Sequence, residues 1–132
     1  MKSEDGVLRG LMMAKILIVD DSAFARNTLG MIIERGGHEV VGLAADGKAG
    51  VEMFKNLHPE IVTLDFLMDG KDGEAVLEEI IEFDPDAKVI MISGSGDYTV
   101  EKTALKTGAK DFVEKPFMRR DLLKSIDQVM AS

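Results

Sequence analysis

The chain is 132 residues long, with 24 acidic against 16 basic side chains and a net charge of −8 at pH 7. That length suits one compact domain, and the acidic balance argues against nucleic acid or an anionic membrane as the main partner. There is no cysteine and only two histidines, His38 and His58, which excludes disulfides, thiolate metal sites and a histidine-built zinc site.

The opening stretch MKSEDGVLRGLMM carries acids and glycines where a signal peptide needs an unbroken apolar run. Residues 1–13 are therefore expected to be a disordered leader, with Met12 or Met13 as alternative starts, and residues 14–132 the folded domain. No apolar run approaches the roughly 20 residues of a membrane span, so a cytoplasmic location is expected.

From Lys15 onward, short aliphatic runs alternate with longer amphipathic ones. KILIV (15–19) reads as a strand and is followed by a helical stripe of Ala25, Leu29, Ile32 and Ile33, stopped by Gly36-Gly37. EVVGLA (39–44) precedes a stripe of Val51, Phe54 and Leu57, stopped by Pro59. IVTL (61–64) precedes Val76, Leu77, Ile80 and Ile81, which end near Asp84-Pro85. KVIMI (88–92) precedes residues 97–107, where Val100, Ala104 and Leu105 make only a thin stripe. DFV (111–113) precedes a last helix from about Met118, with Leu122, Ile126, Val129 and Met130 inward. Five strands alternating with five helices predict an α/β fold, a parallel sheet covered on both faces.

Polar residues collect where the strands end. The first run stops at Asp20-Asp21, the third at Asp65, the fourth at Ser93 followed by Gly94-Ser95-Gly96, and the fifth at Glu114-Lys115-Pro116. Open parallel sheets bind ligands beyond the carboxyl ends of their strands, so these groups are expected to share one rim. Three carboxylates offer a few hard oxygen ligands, which suits Mg²⁺ with some waters retained. A carboxylate is also a nucleophile toward phosphorus, and Lys115, Ser93 and backbone N–H groups near Gly94 would balance phosphoryl charge. Singly, each feature has a plainer meaning: Asp21 or Ser22 as a helix cap, Asp65 as a turn former, Lys-Pro as a solvated turn. Their coincidence at four strand ends favours a site.

The stretches ILIVDDSAFAR, PEIVTLDFLM with the later Asp72-Gly73, KVIMISG and GAKDFVEKPF resemble the receiver domain of two-component response regulators, most closely its stand-alone chemotaxis form. The resemblance runs from Lys15 to about Met130 and implies a flavodoxin-like, doubly wound sheet in the order 2-1-3-4-5. It implies that Asp65 accepts a phosphoryl group from a CheA-like histidine kinase, and that Asp21, Asp20 (through water), Asp65 and the Leu67 carbonyl serve Mg²⁺. It further implies that Ser93 and Lys115 hold the phosphoryl group, that Phe112 is the switch aromatic, and that Lys115-Pro116 is cis. The implied output partner is the flagellar motor switch or another target, with a possible phosphatase and a monomeric chain that is not an enzyme. Two departures stand out: Asp69 where the family usually has proline, and Gly94 where alanine is more usual.

Other readings compete. A relay intermediate would pass its phosphoryl group to a histidine phosphotransfer protein. An Mg²⁺-dependent phosphohydrolase would place its nucleophile in an Asp-x-Asp motif after the first strand, whereas Asp65 follows the third. A nucleotide or flavin site would need a glycine-rich loop that "DGKAG" (46–50) does not supply.

Overall fold

The computed structural model describes residues 13–68, 72–94 and 98–132. All of the expected leader but Met13, and the departure at Asp69, lie outside the described residues. Strands β1 (Lys15–Val19), β2 (Glu39–Ala44), β3 (Ile61–Asp65), β4 (Val89–Ser93) and β5 (Asp111–Glu114) alternate with five helices. The helices are α1 (Ala23–Arg35), α2 (Gly47–Leu57), α3 (Gly73–Phe83), α4 (Tyr98–Thr107) and α5 (Arg119–Ala131). The strands pair in parallel in the order β2-β1-β3-β4-β5, as expected.

Strand alternation divides the core. Leu17, Val19, Val62, Leu64, Val89 and Met91 pack on one face against Val51, Phe54, Val76, Leu77, Ile80 and Ala104 of α2, α3 and α4. Ile16, Ile18, Ile61, Ile90, Ile92 and Val113 pack on the other against Leu29 and Ile33 of α1 and Leu122, Ile126 and Val129 of α5. β1, β3 and β4 are covered on both sides, which is why their sequences read as mostly aliphatic runs, broken in β3 by the buried Thr63. β2 is an edge strand and only half covered.

Local chemistry sets the helix ends. The side chains of Ser22, Asp46 and Asp72 accept from the backbone N–H groups of Ala25, Ala49 and Ala75, each cap worth about 1 kcal/mol. Of the two candidate caps for α1, it is thus Ser22 that serves. α1 stops at Gly36, and Gly37 takes the left-handed turn at φ +91°. α2 stops at His58, whose φ of +49° is left-handed; the following Pro59 disfavours helical backbone at that position. α4 is thinly held: of the expected stripe only Ala104 is fully buried, while Leu105 is exposed. No helix among the described residues is long and apolar enough to cross a membrane.

Candidate functional site

The parallel sheet delivers Asp20, Asp65, Ser93 and Lys115 to its carboxyl edge from four strands, with Asp21 beside them. β3 and β4 run one residue further than the aliphatic runs suggested, because Asp65 and Ser93 are still in ladder register, Asp65 with Ile92 and Ser93 with Glu114. Both are buried. The Ser93 carbonyl accepts from the Lys115 N–H at 2.8 Å, which locks the start of the β5–α5 loop to the end of β4. The Lys115-Pro116 peptide is cis, as the resemblance implied.

Lys115 is the cation of the site. Its Nζ lies 3.7 Å from Asp65 Oδ1 and 3.7 Å from Asp20 Oδ2. One ammonium facing two carboxylates leaves net negative charge. Burial, and then the neighbouring Asp20 charge, push the Asp65 carboxyl up to about 6, against the opposing pull of Lys115 and of a hydrogen bond from the Leu67 backbone N–H. At pH 7 the carboxylate form still predominates by about ten to one, so Asp65 is a usable nucleophile.

Asp20 is held on three sides. Its N–H donates to the Ala44 carbonyl at 3.0 Å, which is the contribution of β2 to the site. Its Oδ1 accepts from the Ser22 N–H at 2.9 Å, and its carbonyl accepts from Arg26 Nη1 at 2.8 Å. Oδ2 is left buried with no hydrogen-bond partner. Lys115 faces this oxygen at 3.7 Å, beyond hydrogen-bond reach, so a buried carboxylate oxygen is left that a closer cation would satisfy. Asp20, Asp21 and Asp65 each present a carboxylate oxygen, and these atoms lie within 4.8 Å of one another. Three hard oxygen donors at that spacing, one of them buried and unsatisfied, fit Mg²⁺.

The pocket has a tight floor and an open side. The backbone of Gly73 packs directly on the Asp65 carbonyl, and its N–H donates to the Phe66 carbonyl at 2.7 Å. Among the described residues, an added methyl at Gly94 would meet Lys115 Cβ at 3.6 Å, an ordinary van der Waals contact. Phe112 is half-buried against the core face on which α4 lies, and by alternation Ser93 belongs to that same face.

Asp20, Asp21, Asp65, Ser93 and Lys115 therefore share this edge, the Leu67 N–H reaches Asp65 beside them, and Phe112 lies behind it. Two roles were not read from the sequence: the contact of Gly73 beneath Asp65, and the bond from Arg26 to the Asp20 carbonyl. Both residues stand inside the stretches that carried the resemblance, but neither type of contact has a local signature.

Residues 16–127 match the response regulator receiver domain. The chemotaxis protein CheY of Thermotoga maritima is 42% identical over 115 residues, covering 87% of this chain and 96% of that protein. CheY of Bacillus subtilis is 40% identical, covering 90% and 99%. Among solved structures, the CheX-CheY-BeF3-Mg²⁺ complex from Borrelia burgdorferi matches with a TM-score of 0.86 and 40% identity, over 89% of this chain and 90% of that one. The chain belongs to the response regulator receiver family, among the chemotaxis regulators of the CheY type.

Proposed function

We propose that this chain takes a phosphoryl group onto Asp65 from the phosphohistidine of a CheA-like kinase and thereby switches its affinity for an output protein. The observation that carries this reading is the ion pair between Asp65 Oδ1 and Lys115 Nζ beside the orphaned Asp20 Oδ2. In the transfer, a carboxylate oxygen of Asp65 bonds to phosphorus as the phosphorus–nitrogen bond of the donor breaks. The leaving imidazole keeps the electron pair and takes a proton from water. Lys115, already placed against Asp65, balances the incoming charge, and the Ser93 hydroxyl donates to a phosphoryl oxygen. Asp20, Asp21, Asp65 and the Leu67 carbonyl would hold Mg²⁺, which when bound supplies further positive charge for the phosphoryl oxygens.

The fit to a signalling role rests on the receiver-domain match over residues 16–127, with Asp20 and Asp21, the acids beside Asp65, taken up as metal ligands on this reading. We therefore read the chain as a cytoplasmic, monomeric acceptor that turns over no substrate beyond its own slow phosphorylation and dephosphorylation. Its partners on this reading are the kinase, an output protein such as the flagellar motor switch, and a CheX-type protein like the one bound to the Borrelia relative. Incubation with acetyl phosphate and Mg²⁺ should add one phosphoryl group, detected by mass, and Asp65→Asn should abolish it. Unchanged labelling of that variant would refute the assignment, and steady turnover of a small phosphate ester would point to a phosphohydrolase.

A further inference from the structure

The Asp20-Asp21 pair sits where β1 ends and the chain turns into α1, and a turn of this kind has no regular ladder to hold its peptide planes. Two of the bonds that hold Asp20 engage backbone N–H groups: its own N–H donates to Ala44 O at the end of β2, and the Ser22 N–H donates to its Oδ1. The third does not. Arg26, in the second turn of α1, reaches back six residues and donates from Nη1 to the Asp20 carbonyl at 2.8 Å. A half-buried guanidinium spent on a main-chain carbonyl, with carboxylates close by, calls for an explanation.

We infer that Arg26 is a positioning residue for the metal and phosphoacceptor site: its bond to the Asp20 carbonyl fixes the peptide between Asp20 and Asp21, and so fixes both carboxylates against Asp65. With N–H, carbonyl and Oδ1 all engaged, the only freedom left to Asp20 is where Oδ2 points, and it points at Lys115. Without the bond, the carbonyl must seek another donor by rotating the peptide. That rotation carries Asp21 with it and turns its carboxylate out of the cluster it forms with Asp20 and Asp65, which removes a ligand from the site. Outer partners that orient metal-binding groups in this way are typically worth 10- to 100-fold in affinity.

The inference rests on the reading of the aspartate cluster as an Mg²⁺ site, and it makes a prediction of unusual sign. Arg26 is itself a cation near that site, so removing its charge alone should tighten Mg²⁺ binding. Loss of positioning should loosen it. Titration calorimetry of the whole, unphosphorylated chain with Mg²⁺ separates the two. Arg26→Met, which keeps the apolar stem, should bind Mg²⁺ roughly tenfold more weakly than wild type, with folding checked by circular dichroism. Affinity equal to or tighter than wild type would overturn the role of Arg26. Should that variant not fold, Arg26→Lys carries the test: its ammonium keeps the charge but is about one bond shorter and does not reach the carbonyl. A several-fold loss is expected, and unchanged affinity would overturn the inference. A wild-type chain that bound no Mg²⁺ would overturn the metal reading and this inference with it.

Discussion

The backbone of Gly73 lies directly against the backbone of Asp65: a Cβ at position 73 would collide with the Asp65 carbonyl oxygen and stand 2.7 Å from Phe66 Cα. This contact, rather than any requirement for unusual φ, makes glycine necessary at the start of α3. Gly73→Ala must move either the helix or the end of β3. Overpacking against flexible side chains costs about 1–3 kcal/mol, and the obstruction here is main chain. A loss of stability at the upper end of that range is expected in urea unfolding, with slower labelling by acetyl phosphate. Wild-type stability and labelling in this variant would mean that the loop after Asp65 yields freely.

The Asp65 carboxylate is retained at a cost to the metal-free protein. Its pKa is raised from 3.8 to about 6, so the folded state favours the protonated form. That contribution is fully present below pH 3.8 and is lost as pH rises through about 6. Asp65→Asn should therefore match the wild type at low pH. Near pH 7, without divalent ions, it should be more stable by on the order of 2–3 kcal/mol, the free energy of a shift from 3.8 to about 6. Saturating Mg²⁺ should shrink or reverse the difference, because it stabilises only a chain that binds it. Equal urea midpoints at pH 4 and pH 7.5 would contradict this account of the site's electrostatics.

His38 works with the opposite sign at the other end of the sheet. Its Nδ1 accepts from the Ala14 N–H at 3.0 Å, which requires a neutral ring with the proton on Nε2, facing Asp127 Oδ1 at 4.0 Å. Burial lowers its pKa from 6.5, and the Asp127 carboxylate offsets part of that. A depressed histidine contributes stability above pH 6.5 that is lost as pH falls through the folded value. Asp65 gains stability over an overlapping window, so the test belongs in the Asp65→Asn background. There, stability should decline as pH drops below about 6.5, and His38→Gln, which keeps an acceptor for Ala14, should remove the slope. A slope that survives the substitution would assign it to other groups.

The strands were readable because a parallel sheet buries both faces, and Ile16 to Val19, Ile61 to Leu64 and Val89 to Ile92 carry that requirement in four adjacent letters each. Their ends were misjudged by a residue because Asp65, Ser93 and Glu114 look like loop residues while their backbones still pair. That error and the candidate site have one cause: polar side chains stand on the last ladder positions, at the carboxyl edge where a parallel sheet binds its ligands. The aspartates and Lys115 could be found since each ends a strand or stands within two residues of a strand's end. Arg26 could not, because an arginine one turn into a helix is ordinarily a solvated charge, and only the tertiary path of the Asp20 carbonyl gives it work. The left-handed His58 was hidden likewise, since the proline after it announces only that the helix stops.

The same reasoning identifies α4 as the movable element. Only Ala104 of its residues is buried, and Tyr98 and Leu105 are exposed, so the helix contributes little apolar area to the core. A polar contact adds to this: the Thr107 hydroxyl donates to Glu74 Oε1 at 2.6 Å, tying the end of α4 to the start of α3, next to the Gly73 that packs on Asp65. Weakly packed elements open at the low end of the stability range and are the ones a small bias moves. Ser93 precedes this helix and Phe112 packs on its side of the sheet, so on the proposed function a phosphoryl group that drew in the Ser93 hydroxyl would act beside a weakly packed element. A shift from 1:99 to 99:1 needs about 5.5 kcal/mol of differential stabilisation, and a smaller bias suffices where the resting preference is slight. Hydrogen exchange should show low protection over 98–107 in the resting protein. Thr107→Val should lower it further without altering Mg²⁺ affinity. Beryllofluoride with Mg²⁺ should change protection most within 93–120, and Phe112→Ala should blunt the dependence of target binding on that mimic. If the changes were confined to residues 65–68, or if Phe112→Ala bound its target with full dependence, α4 and Phe112 would not be the route by which the site signals.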